Sequence, residues 1–200
     1  MAILIRGTDI TLYTAGGTET VTNVLIGEPT AEGCTLGIPK GDTHDWTDRK
    51  IGFFGRLWRT VGVPAQGIEE NIPLLWHKKV TVRPLRITGA VTVYTAKTYV
   101  RHFYPETAVT DLRGLRTAKT GEQHEGTLSV QLYAVCPSDG YVPRAGDILV
   151  QGDCAVTVDA STEAAASQGV AALRACDYAV IRAVTAEQIG VQPDYIIEAG

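Results

Sequence analysis

The hexapeptide Asp9-Ile-Thr-Leu-Tyr-Thr14 returns later in the chain as Ala90-Val-Thr-Val-Tyr-Thr95. In both copies apolar and polar residues alternate with a period of two, the signature of a strand with one buried face. The same alternation runs through Val80-Thr-Val82 and through Leu128-Ser-Val-Gln-Leu-Tyr-Ala-Val135. The chain's 21 glycines and 9 prolines fall largely between such runs, where turns need a positive or a fixed φ. A repeated strand motif in a turn-rich sequence restricts the chain to a β-rich architecture, built twice.

The rest of the repeat follows in order. A strand pair ends in Ile38-Pro39 and again in Cys136-Pro137, and Gly-Asp pairs follow at Gly41-Asp42 and Gly146-Asp147. Next come two strands around a tight glycine turn, Ile51–Phe54 and Leu57–Val61 around Gly55, with Ile148–Val150 and Cys154–Val158 around Gly152 as counterparts. Helical segments are expected at Ala65–Asn71, stopped by Pro73, and at about 161–175. In the second, Ser161 or Thr162 caps the helix and Ala165, Val170 and Leu173 face a core. Each half closes on a strand, Lys78–Leu85 or Tyr178–Val184. The expected fold is therefore mainly β: two tandem small β-barrel or sandwich-like domains, residues 1–87 and 88–200. The second carries the helix and a long protruding hairpin. That hairpin, roughly Thr107–Cys136, is longer than its counterpart Val24–Ile38. Its polar tip, Lys119, Thr120, Gly121, Glu122, Gln123, His124, Glu125 and Gly126, reads as an arm that reaches a neighbouring chain.

Composition narrows the function. Of 200 residues, 44% are apolar and 20% charged, as in an ordinary globular protein. No apolar run approaches the roughly 18 residues of a membrane span, and the start MAILIRGTD lacks the form of a secretory signal. The formal charge of −4 divides into about +1 for residues 1–88 and −5 for the remainder, so no clustered positive charge marks a phosphate-gripping surface. Cys34, Cys136, Cys154 and Cys176 form no close pair of the kind that zinc sites use. They read as buried reduced thiols, with a Cys154–Cys176 disulfide as the alternative.

Three clusters invite chemistry. Gly41-Asp-Thr-His-Asp-Trp-Thr-Asp48 gathers Asp42, His44, Asp45 and Asp48, which suits either a metal or acid/base site or a polar turn anchored by Trp46. The spacing is not that of a calcium loop, and the polar turn is the stronger reading. Phe53-Phe-Gly-Arg-Leu-Trp-Arg59 places aromatics beside arginines, as in base-stacking surfaces, although hairpin alternation puts the aromatics in a core and the arginines outside. Trp76-His-Lys-Lys79 is the one local basic run and would meet an acidic neighbour, a phosphate or solvent. His102 and His124 stand alone, and no nucleophile elbow, HExxH, Walker or dinucleotide motif is present. No catalytic residue, metal or cofactor is expected.

The stretch Ile38-Pro-Lys-Gly-Asp-Thr-His-Asp-Trp…Arg49-Lys-Ile-Gly-Phe-Phe-Gly…Trp58-Arg-Thr-Val-Gly…Pro64…Gln66-Gly-Ile-Glu-Glu-Asn-Ile-Pro-Leu-Leu-Trp-His-Lys-Lys-Val80 resembles the head-closure, or stopper, proteins of long-tailed bacteriophages. The resemblance covers about residues 3–85. Residues 90–190 are more loosely similar to phage neck proteins, through Gly146-Asp-Ile-Leu-Val150 and Tyr178-Ala-Val-Ile-Arg-Ala-Val184. The usual family member is about half this length. The resemblance implies a non-enzymatic virion protein of the head–tail connector that retains packaged DNA and offers a docking surface to the tail. It implies a ring of six or twelve copies, a portal or adaptor ring above, and terminator or tube proteins below. DNA would pass through without sequence-specific binding, and no membrane is involved. On this reading Pro39, Lys40, Gly41, Asp42, Thr43, His44, Asp45 and Trp46, with the Lys119–Gly126 tip, form interface or channel loops. A tail terminator or adaptor is the alternative within the virion, and a small-ligand-binding β-barrel the alternative outside it.

Overall fold

The computed structural model describes residues 7–66, 76–112, 126–176 and 178–200. It divides into two compact units: Met1–Arg86 with Gln188–Gln192, and Ile87–Glu187 with Pro193–Gly200. The sequence gives no sign that Gln188–Gln192 belong with the first unit.

In the first unit, strands β1 (Thr8–Thr14), β2 (Gly17–Ile26), β3 (Cys34–Pro39), β4 (Lys50–Phe53), β5 (Arg56–Gln66) and β6 (Trp76–Pro84) close an antiparallel barrel in the order β1-β2-β3-β6-β5-β4. Alternation decides the interior. Ile10, Leu12, Leu36, Ile38, Ile51, Trp58, Val80 and Val82 point inward and are almost fully buried. A six-stranded barrel is narrow enough for side chains to fill it, and Phe53 stacks on Trp58 with ring centroids 4.7 Å apart. β4 turns into β5 through Phe54 and Gly55, both at positive φ (50° and 69°). That is the two-residue turn whose twist matches paired strands. The helical segment expected at Ala65–Asn71 is corrected where it can be seen. Ala65 and Gln66 continue β5, paired with Lys79 and Lys78, and the remainder lies outside the described residues.

The second unit contains β7 (Gly89–Tyr94), β8 (Arg101–Asp111), β9 (Leu128–Leu132), β10 (Ile148–Gln151), α1 (Glu163–Ala175), β11 (Tyr178–Glu187) and β12 (Asp194–Ala199). Its strands close in the order β10-β11-β12-β9-β8-β7. Read from β7, this is the wiring of the first barrel strand for strand. The register repeats as well. Ile10 faces Val21 and Tyr13 faces Thr18, as Val91 faces Tyr104 and Tyr94 faces Arg101. Both hairpins slip register at the same step, between Thr8 and Ile10 and between Gly89 and Val91. The hexapeptide repeat thus marks the same strand of two like barrels.

The wiring corrects the end of the repeat. β11 is the counterpart of β5, and β12, unforeseen in the sequence, is the counterpart of β6. Cys154–Val158 form no strand, and β9 stops at Leu132, short of Val135. Where the first barrel needs only Phe54-Gly55, the second inserts a connection that includes α1. Thr162 caps this helix, its side chain accepting from the Ala165 N–H at 3.2 Å. Leu173 is its fully buried residue, with Val170 packed beside it. The insertion covers the outer face of β7. Thr92 and Tyr94 are buried there, whereas the matching Thr11 and Tyr13 are only half-buried. The Tyr94 hydroxyl is shared between the Cys154 and Val156 carbonyls at 2.9 and 2.8 Å. A second small core results, from Tyr94, Ile148, Val150, Cys154, Val158 and Leu173. The unbroken Ile-Leu-Val of β10 reflects this burial on both faces.

Candidate functional site

The β3–β4 connection, residues 40–49, contains the densest polar cluster singled out in the sequence. Its residues alternate. Gly41, Thr43 and Asp45 face solvent, while Asp42, His44 and Trp46 turn inward. Trp46 is 1% exposed and belongs to the barrel core, so the loop is nailed down at its middle. An indole N–H buried with the ring needs an acceptor, and Asp42 supplies it: Trp46 Nε1 donates to Asp42 Oδ2 at 2.7 Å. The other oxygen, Oδ1, meets His44 Nδ1 at 2.5 Å. His44 Nε2 in turn reaches Glu19 Oε2 on β2 at 3.0 Å. Lys78 Nζ, on β6, donates to the Asp42 carbonyl at 2.8 Å and lies 3.7 Å from Asp42 Oδ2.

These contacts set the charges. Burial pushes the Asp42 carboxyl up, but the hydrogen bonds from His44 and Trp46 and the charges of His44 and Lys78 outweigh it, and the group sits below its ordinary value. The hydrogen bond to Asp42 raises His44, and Glu19 adds to that against an opposing effect of burial. The loop is therefore held by an imidazolium between two carboxylates on the acid side of neutrality.

The remaining acidic residues are engaged too. Asp45 accepts the Thr47 N–H at 2.9 Å and Arg49 Nη2 at 2.6 Å, and the Thr47 hydrogen bond leads in lowering its carboxyl. This is the work of a polar turn. Asp48, at φ 46°, takes Arg59 Nη2 at 3.0 Å on one oxygen and the Gln192 N–H at 2.8 Å on the other. Arg59 Nη2 also donates to the Gln192 carbonyl at 2.8 Å. Arg59 is 1% exposed, which corrects the expectation that both arginines of the aromatic run lie outside. Arg56 does, but Arg59 is buried beneath Asp48 and Gln188–Gln192. Phe54 departs in the opposite sense and is 63% exposed.

Among the described residues, no group of three or more His, Cys, Asp or Glu is arranged to hold a metal ion. Of the arm at the β8–β9 tip, Lys119–Glu125, with His124, lie outside the described residues. Gly126 is half-buried, just ahead of β9. Pro39 ends β3 and pairs with Trp76, and Lys40 is exposed. Lys78 of the basic run meets an acidic neighbour, while Lys79 faces solvent. His102 is not alone: its Nδ1 meets Asp139 Oδ2 at 2.6 Å and its ring stacks on Tyr141 at 3.9 Å. The sequence reading missed Glu19, Lys78 and Gln192 as partners of the loop. Lys78 pairs with Ile38 near the end of β3, just ahead of the loop, and only that strand pairing could have pointed to one of them.

No family model, no curated protein and no solved structure matches this chain.

Proposed function

We propose that the chain is a structural protein of a phage neck, a head-closure ring subunit that retains packaged DNA and gives the tail its docking surface. Its place is the virion, between a portal or adaptor ring and the tail terminator or tube. The observation that carries this reading is the use made of the polar residues in the stretch that resembles stopper proteins. Asp42, His44, Asp45 and Asp48, the groups a hydrolase would need free, are engaged with Trp46, Glu19, Thr47, Arg49, Arg59 and Gln192. They brace a surface loop, and a braced loop presents Lys40, Gly41, Thr43 and Asp45 in one conformation to a neighbour. Phe54 adds to this. Its ring packs edge-on against Phe53 at 5.5 Å yet stays 63% exposed at the tip of the β4–β5 turn, an apolar group placed for a neighbour to cover.

A ring made by head-to-tail contacts requires two complementary surfaces on each chain, which a two-barrel chain with separate loops supplies. The acidic balance of the second half suits a channel wall that DNA must slide past, because phosphate contacts would trap it. The ligand-binding alternative is disfavoured by the filled interior of the first barrel, where Trp46 and Trp58 are each 1% exposed.

The test is a nonsense codon in the gene within its phage or prophage, with the lysate imaged by electron microscopy and head DNA measured. DNA-free tailless heads beside free tails of normal length support the reading. Full heads beside tails of uncontrolled length assign the protein to tail termination. Normal infectious particles refute a connector role.

A further inference from the structure

Cys154 and Cys176 bracket the insertion that sets the second barrel apart from the first, and both enter the small core around Leu173. Their backbones are fixed from opposite sides. On the barrel side, the Cys154 N–H donates to Thr92 Oγ1 at 2.9 Å, and its carbonyl accepts from the Tyr94 hydroxyl at 2.9 Å and Arg101 Nε at 2.7 Å. On the helix side, Cys176 is the C-cap of α1. Its N–H donates to the Leu173 carbonyl, and its thiol donates to the Ala172 carbonyl at 3.5 Å. Cys176 packs against the same small core in which Cys154 is buried. Both are free thiols. Cys154 is 6% exposed and Cys176 is half-buried, so Cys176 is the more accessible residue of the pair.

We infer that Cys154 and Cys176 form a redox pair, in which Cys176 reacts first with a small-molecule disulfide and Cys154 resolves it, stapling the end of α1 to the barrel. The Cys176 thiolate attacks one sulfur of oxidised glutathione, releasing one glutathione thiolate and leaving a mixed disulfide on Cys176. The Cys154 thiol gives up its proton and attacks the Cys176 sulfur. The Cys154–Cys176 bond forms and the second glutathione leaves as thiolate. The protein loses two electrons and two thiol protons, and one glutathione disulfide is reduced to two thiols. Interaction with Cys154, with burial adding, holds the Cys176 thiol above its ordinary value. The reaction is therefore slow at neutral pH and quickens as pH rises.

The four cysteines fall in four different tryptic peptides, with Cys154 in Ala145–Arg174 and Cys176 in Ala175–Arg182, so the product is unambiguous by mass. The full chain is incubated with oxidised glutathione at pH 8.5, alkylated, digested without reductant and compared with C176S. The expected result is a linked Ala145–Arg174/Ala175–Arg182 pair that reductant abolishes, with Cys34 and Cys136 alkylated. Amide protection across the closed loop should rise by up to about three-hundredfold, as loop closure of this length implies. In C176S, Cys154 should stay alkylatable only after denaturation. A stable glutathione adduct on Cys176 beside an unpaired Cys154 would overturn the pair. So would a native chain that fails to link these sulfurs while the denatured chain links them, or a C176S chain in which Cys154 takes up glutathione directly.

Discussion

Replacing Asp42 with alanine removes the one side chain that joins the Trp46 indole, the His44 imidazole and the Lys78 ammonium. The magnitude follows from each partner in turn. The Trp46 N–H, buried with its ring, is stranded at a cost of about 1–3 kcal/mol. Lys78 keeps its hydrogen bond to the residue-42 carbonyl and loses only the 3.7 Å ion pair, about 1 kcal/mol at its partial burial. His44 is about one-third exposed, and its loss is smaller still, about 0.5 kcal/mol. The expected destabilisation is about 3 kcal/mol in total. Asp42→Asn is the control. Its oxygen can still accept from Trp46, and its amide can donate to a neutral His44, so it should cost about 1 kcal/mol while lowering the His44 pKa. All three tryptophans, Trp46, Trp58 and Trp76, lie in the first unit, so indole fluorescence during urea unfolding reports on that barrel alone. The pH dependence has a definite sign. His44 has a folded pKa above its unfolded value, so its contribution is complete below about pH 6.5 and is lost as pH rises through the folded value. Asp42 has a folded pKa below its unfolded value, so its contribution is complete above about pH 4 and is lost as pH falls through the folded value. The gap between wild type and Asp42→Ala should therefore be widest between about pH 4 and 6.5 and narrow toward pH 9. A gap under about 1 kcal/mol at pH 5.5, or one that widens with alkali, would refute the reasoning.

Tyr94→Phe strips the Cys154 and Val156 carbonyls of their shared donor. It should cost about 1–2 kcal/mol and raise amide exchange across 154–158 without altering the first barrel's fluorescence transition. Gly190→Ala would place a Cβ 1.8 Å from Asp48 Oδ1 and 2.8 Å from Arg59 Nη2. The melting of the first unit should fall by about 2–3 kcal/mol, and Asp48→Ala should largely relieve the added clash in the double variant. Phe54→Asn suits the positive-φ turn better and should raise the isolated chain's stability by about 1 kcal/mol. If the proposed ring forms and Phe54 meets a neighbour in it, the same variant should assemble less well, measured by complementation of a phage carrying the proposed nonsense codon.

The barrels were legible where period-two alternation met an explicit repeat. The hexapeptide at Asp9 and Ala90 lands on matching strands in matching register, because inward-facing residues cannot slip by one without exposing the core. The α1 helix was legible from its Thr162 cap and its alanine run. The last third of the repeat was not. Tyr178–Val184 looks like a closing strand because β12, Asp194–Ala199, alternates only loosely, with a burial pattern of two buried positions separated by half-exposed ones at its centre. Cys154–Val158 looks like a strand because its apolar residues alternate, but they bury against the outside of β7 and not inside the barrel. The polar turn was read correctly at Asp45. Burial of Arg59 was not foreseeable, since Gln192 lies far along the chain and only tertiary structure delivers it.

The two barrels share a frame and differ in what hangs from it, and one position shows how. Asp42 and Asp147 each follow a glycine in the connection between the third and fourth strands of their barrel, and both carboxylates are withdrawn from solvent. Asp147 accepts the Ala96 and Arg144 N–H groups at 2.8 Å each and the Tyr141 hydroxyl at 2.7 Å. Burial, with that hydrogen bond, pushes the Tyr141 phenol up to about 12, so it remains a donor throughout the physiological range. Asp42 holds a histidine, a tryptophan and a lysine instead. The same carboxylate thus closes one loop with main-chain groups and a phenol, and the other with side chains, one of which is an imidazole whose pKa the carboxylate raises. A frame that needs only an acceptor at this position leaves the choice of donors free. The first loop's donors come from the β3–β4 connection and from β6, so the side chains of the loop and of a neighbouring strand set the charge that the carboxylate meets.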